Sequence, residues 1–157
     1  VGHELMQAVY LQPRSLQMID SSYKGDEIKI DVGSFSDKDL KIGRLMYPPQ
    51  KQTFPNNWKY TKDASNVSRD DFSMDLHCKN LLFVYKASSE DSYGTVDIYI
   101  DSNLVTSIQA NQSDGWNNPV TVCLLNEEVA ANHHVEIKMA KDNSEKEFTI
   151  MGFGYSK

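Results

Sequence analysis

From Tyr93 to Asn111 the chain reads YGTVDIYIDSNLVTSIQAN. Val96, Ile98 and Ile100 alternate with Thr95, Asp97, Tyr99 and Asp101. Period-2 patterning of this kind describes a strand with one buried and one wet face. Asp101-Ser102-Asn103 follows with turn chemistry, because Asp and Asn tolerate left-handed backbone and bond their own main chain. Leu104 to Ala110 then returns as a second strand, so a β-hairpin is expected. An isolated hairpin is marginal in water and needs partners that share its apolar face.

The rest of the chain supplies such partners. Short strands are expected at 27–32, 41–47, 72–78, 81–87, 120–125, 134–140 and 146–153. Leu81 to Ala87 is apolar on both faces, as in a central strand. Asp142-Asn143-Ser144 reads as the turn of a terminal hairpin between the last two strands. The stretch from Gln50 to Asp71 is long for a connection and is expected to be functional or to hide a strand. Closely spaced strands with turn signals between them indicate an all-β, two-sheet antiparallel β-sandwich of jelly-roll type. The N-terminus differs. Leu5, Met6, Val9 and Tyr10 fall at helical spacing and Pro13 stops the pattern, so 1–12 is expected to form one short helix. Residues 13–22 read as a linker, and 23–157 as the sandwich.

A chain of 157 residues fits one domain with a real core. Its 22 Asp+Glu against 16 Lys+Arg, with no basic stripe, argue against a nucleic-acid partner. The longest apolar run, Leu81 to Tyr85, is too short to span a bilayer. Nor does the N-terminus show a basic region followed by an apolar one. Its first residue is Val, so a mature product or an excised fragment is expected. Cys78 and Cys123 match no zinc or redox spacing. They could pair, but Cys78 shares a face with Phe72, Met74 and Leu76 and is expected to be a buried thiol.

Catalytic motifs are missing. There is no G-x-S-x-G elbow, H-E-x-x-H zinc motif or phosphate-binding glycine loop. His133 and His134 are adjacent on a strand and point to opposite faces, which suits ordinary strand residues better than one metal. Asp97 and Asp101 show no cleft, and Asp70-Asp71 with Asn66 lack a calcium-loop spacing. No cofactor and no metal are expected. The candidate site residues are aromatic and amide: Trp116, Asn117 and Asn118 in one polar loop, Trp58 and Tyr60 in another. A ring can cover the apolar C–H face of a sugar while amides bond its hydroxyls; the alternative for each Trp is a ring folded back to cap the sandwich.

Two stretches carry a resemblance. Val1-Gly2-His3-Glu4-Leu5-Met6 resembles the end of the last motif block of SGNH (GDSL-like) hydrolases, where Asp-x-x-His-Pro-Asn precedes Gly-His and a closing helix. The catalytic Asp and His of that pattern would lie before Val1, and His3 matches the non-catalytic histidine. In the final third, Gly115 to Thr121, His133 to Ala140 and Glu147 to Tyr155 are similar to the accessory jelly roll of two-domain bacterial SGNH esterases. The family's Gly-Asp-Ser nucleophile block is absent, Gly33-Ser34 being the nearest approach. The resemblance implies a galactose-binding-like, non-catalytic domain behind a carbohydrate esterase, with the esterase tail at 1–12. Its expected partners are a carbohydrate and the SGNH domain of the same parent chain. A carbohydrate-binding or substrate-positioning role follows. The alternative is a purely structural domain, packing on the esterase or holding an oligomer together.

Overall fold

A computed structural model describes residues 16–25, 27–43, 54–63 and 69–157. All eight of its elements are strands: β1 (Gln17–Ile19), β2 (Lys29–Asp31), β3 (Trp58–Tyr60), β4 (Phe72–Ala87), β5 (Thr95–Ile100), β6 (Asn103–Gln109), β7 (Asn118–Met139) and β8 (Phe148–Ser156). Every strand pairing is antiparallel, in the order β1-β8-β4-β7-β5-β6, with β2 on β4 and β3 on β8. The helix expected at 1–12 lies outside the described residues, as do Pro48, Pro49 and Asn66. None of the described residues forms a helix long and apolar enough to cross a membrane.

Strands β4 and β7 are the spine. Each joins two stretches that the sequence reads as separate strands. Their ladder shifts register between Cys78 and Asn80, where Ala131 and Asn126 are the partners. The extra residues on β7 bulge out, and a bulge bends a strand and increases its twist. Before the shift β4 lies beside β2, and after it beside β8. One pair of long strands therefore serves two sets of neighbours.

The hairpin of β5 and β6 forms as its pattern dictates. Ile100 pairs with Asn103, and Asp101 and Ser102 take φ of 52° and 69°. Both central residues are left-handed, as a tight turn matched to strand twist requires. The terminal hairpin does not form. Asp142 turns the chain with φ of 65°, but β7 pairs with β4 and β5 while β8 pairs with β4, β1 and β3. The turn carries the chain between neighbour sets because both flanking strands bury apolar side chains in one shared core.

Aromatic rings fill that core. Phe72 and Phe153 stack with centroids 5.7 Å apart, and Phe83 lies 5.4 Å from Phe153. The long stretch before Asp71 hides a strand, β3, on the edge of β8. Strand β1 sits on β8 as well, so the sheet begins within the stretch read as a linker. Cys78 is fully buried and Cys123 half-buried, and both are free thiols. Burial pushes the Cys78 thiol up to about 11, so at neutral pH it behaves as a small hydrophobe.

Candidate functional site

Trp116 stands 72% exposed on the loop between β6 and β7. The loop is built from two consecutive turns. Gly115 donates its N–H to the Gln112 carbonyl at 3.0 Å, and Asn118 donates to the Gly115 carbonyl at 3.0 Å. In the second turn Trp116 and Asn117 occupy the central positions with φ of 49° and 62°. Left-handed backbone at a bulky residue costs on the order of 1–3 kcal/mol and persists only where the surroundings impose it.

Two close approaches impose it here. Gly115 lies against the main chain of Ala87 and Ser88, so near that a Cβ would fall 2.6 Å from the Ser88 nitrogen. On the other flank Gly43 donates its N–H to the Asn117 carbonyl at 2.7 Å. A Cβ at Gly43 would collide with the Trp116 carbonyl oxygen and the Asn118 Oδ1. Trp116 is thereby held out from the sheet, with Asn117 and Asn118 half-buried at its base. Asn117 Oδ1 is withdrawn from solvent without a hydrogen-bond partner. Leu40, 82% exposed, rides on the same segment as Gly43. Nearby, Lys41 Nζ pairs with Glu90 Oε1 at 3.1 Å.

Trp58 and Tyr60 do not join this surface. They are 5% and 4% exposed, which corrects the expectation of exposed rings. The physical reason is β3: Trp58 pairs with Ile150 and Tyr60 with Phe148, and alternation turns both rings to the same inner face. Trp58 lies 5.3 Å from Phe72 between ring centroids, and Tyr60 lies 5.4 Å from Phe35. The Tyr60 hydroxyl donates to the Ser144 carbonyl at 3.0 Å. Their neighbour Asn57 is buried too, with its amide bonded to the main chain of Asp39 and Phe54.

At the other end of β5 lies a polar cleft of about 580 Å³ that includes Asp75, His77, Asp101, Asn132, His133 and His134. His134 is bracketed by Asp75 Oδ1 at 2.5 Å and Glu136 Oε1 at 3.1 Å. The Asp75 bond raises the His134 pKa, and burial opposes it only in part. Asp101 accepts from the His134 backbone N–H and contacts His133 Nδ1 at 2.6 Å, which holds its carboxyl below the usual range. Both ring nitrogens of His134 face carboxylates, which favours a proton there over a metal. No group of three or more metal-ligating side chains converges among the described residues. Asp71 bonds Arg69, and Asp70 accepts from Ser34. The Ser34–Asp70, His133–Asp101 and His134–Asp75 contacts escape sequence reading because they join residues far apart in the chain.

No protein-family model matches this chain, and no curated protein matches it either. Solved structures do. A family 35 carbohydrate-binding module from an environmental isolate superposes with a TM-score of 0.56 at 8% identity, covering 90% of this chain and 97% of that one. The chain has the fold of a carbohydrate-binding module. A two-domain esterase active on acetylated mannans, crystallised with mannopentaose, matches with a TM-score of 0.63 at 14% identity over 90% of this chain and 37% of the other. A family two carbohydrate esterase from Cellvibrio japonicus matches with a TM-score of 0.51 at 17% identity over 90% of this chain and 33% of the other. The chain thus spans about a third of the length of these two esterases. At such identities the likeness is one of fold.

Proposed function

We propose that this domain is a non-catalytic carbohydrate-binding module, with a sugar ring seated on Trp116. One observation carries the reading: a tryptophan held exposed on strained, left-handed backbone. Folding alone would place Gly or Asn there. A strained residue at a surface loop fits a binding role, because function is where such a cost is tolerated. The indole covers the apolar face of a pyranose while Asn118 and the Nδ2 group of Asn117, whose Oδ1 is withdrawn from solvent, offer hydrogen bonds to its hydroxyls. The ligand class is a neutral oligosaccharide, weakly held and in some cases acylated. The all-antiparallel β fold, shared with a carbohydrate-binding module, supports this by analogy.

The parent chain, in the same reading, is an SGNH-type sugar esterase. Residues 1–12 are the tail of its catalytic domain, 13–22 the connection, with β1 already laid on β8, and 23–157 the module. The module carries no catalytic residue and delivers or positions the substrate for its neighbour. Calorimetric titration of the domain against mannopentaose, acetylated manno-oligosaccharides and xylo-oligosaccharides tests the reading. Binding to one class at millimolar or tighter affinity supports it, and flat isotherms throughout the panel overturn it.

A structural role is the second reading, favoured by a separate observation. Leu104 and Val105 are exposed on β6, an edge strand, where an apolar surface suits a covering partner. Thermal unfolding of the parent protein with and without the module decides it. Equal melting of the catalytic domain in both forms removes this role.

A further inference from the structure

Beneath the Trp116 loop lies a buried ion pair. Lys86 Nζ is 2.6 Å from Asp39 Oδ2, and the two side chains are 0% and 2% exposed. The lysine makes two further bonds, to the Tyr93 hydroxyl at 2.7 Å and the Lys41 carbonyl at 3.0 Å. All three of its N–H donors are thus engaged. Asp39 Oδ2 also accepts from the Tyr93 hydroxyl at 2.9 Å and from Thr149 Oγ1 at 2.5 Å, while Oδ1 accepts from the Lys41 N–H at 2.9 Å. The network ties β4, β8, Tyr93 and the segment from Asp39 to Lys41 into one unit.

A buried ion pair is a poor stabiliser, since a well-packed apolar pair of similar volume is often as good. What it supplies is geometry, because charged bonds fix atoms where apolar contacts let them slide. The atoms fixed here are those that clamp the Trp116 turn. Lys86 holds the Lys41 carbonyl, two residues before Gly43, whose N–H reaches Asn117. Lys86 also directly precedes Ala87 and Ser88, the main chain that Gly115 rests on. Both jaws of the clamp therefore run through one residue.

We propose that the Asp39–Lys86 pair is the positioning element of the Trp116 site. It sets the gap between the Gly43 segment and the end of β4, and so the pose of the indole. The proposal rests on the carbohydrate reading for its affinity consequence, but the pose itself is measurable without a ligand. Trp58 is buried and Trp116 exposed, so emission collected on the long-wavelength side of the spectrum is weighted to Trp116.

The test replaces the pair by an apolar one, Asp39→Leu with Lys86→Met, and leaves every Trp116 contact residue in place. Tyr93→Phe is the milder second variant, since it removes only the hydroxyl that bridges lysine and carboxylate. Three quantities are read: the denaturation midpoint, the Trp116 anisotropy and the affinity for mannopentaose. Expected are a native-like midpoint in at least Tyr93→Phe, a lower Trp116 anisotropy in each folded variant, and affinity weakened by roughly tenfold in the pair variant. Unchanged anisotropy and affinity in a folded variant overturn the proposal. A wild-type protein that binds no mannopentaose counts against the carbohydrate reading instead, and anisotropy then decides the positioning role alone.

Discussion

The Gly43 N–H and the Asn117 carbonyl meet at 2.7 Å, joining two loops that are distant in sequence. The contact is so close that no side chain fits on Gly43. In Gly43→Ala the new methyl would collide with the Trp116 carbonyl and Asn118 Oδ1. Neither oxygen is the free end of a long flexible chain, so the loop must move. We expect a loss of about 1–3 kcal/mol in stability, the usual cost of overpacking, with a blue- or red-shifted Trp116 emission. A chemical denaturation curve and an emission spectrum check both. An unshifted spectrum with wild-type stability would show that the segment yields freely.

The two tryptophans should respond oppositely to truncation. Trp58→Ala removes a ring packed among Phe72 and Phe153, and about 3–5 kcal/mol of stability should go with it. Trp116→Ala touches no core residue and should stay within about 0.5 kcal/mol. Urea midpoints of the two variants decide this, and equal losses would contradict the burial described above.

Much of this fold was legible in the sequence, and the misreadings share a cause. The β5–β6 hairpin could be read because Val96, Ile98 and Ile100 are local, periodic and followed by a matching turn. Strands β1 and β3 could not, because three residues do not establish a period. Trp58 and Trp116 both follow turn-forming residues, and only the pairing of β3 with β8 separates core ring from exposed ring. Asp142 to Ser144 signals a turn, but a turn does not say whether its flanking strands pair. Lys86 gives no sign of burial, since its partner Asp39 meets it only in the folded chain.

Strain at Trp116 gives a sharper test. Its φ of 49° suits glycine. Trp116→Gly should therefore hold or raise stability, by up to about 1 kcal/mol, while removing the ring that the proposed site needs. Such a trade of stability against function is expected at sites kept under strain. Calorimetric unfolding of Trp116→Gly against Trp116→Ala measures it, and a glycine variant less stable than the alanine one would remove strain from the account.

The Asp39–Lys86 pair has a pH signature. Burial alone would raise the Asp39 carboxyl, but bonds from Lys86 and Thr149 outweigh it and hold it below the ordinary value of 3.8. A depressed carboxyl contributes stability that is present above 3.8 and is lost as pH falls through the lower folded value. In Lys86→Met the compensation goes and burial remains, so the Asp39 pKa should rise and the slope should reverse. That variant should lose about 3–5 kcal/mol at pH 7 and recover part of it near pH 4. Denaturation midpoints from pH 3 to 7 compare the two, and parallel curves would contradict a charged buried pair.

His134 titrates in the opposite sense. Its pKa is raised, chiefly by Asp75, so its contribution is complete below 6.5 and lost as pH rises through the higher folded value. Asp75→Asn should bring the His134 midpoint down toward 6.5, read from its ring proton shifts by NMR. A midpoint that does not move would show that Asp75 is not the cause.

The central claim is that Trp116 carries a sugar, and paired titrations of wild type and Trp116→Ala with mannopentaose test it most directly. The expected result is saturable binding by the wild type and a loss of about 1–3 kcal/mol of binding free energy in the variant, at unchanged thermal stability. Isotherms of equal affinity for the two proteins would contradict it.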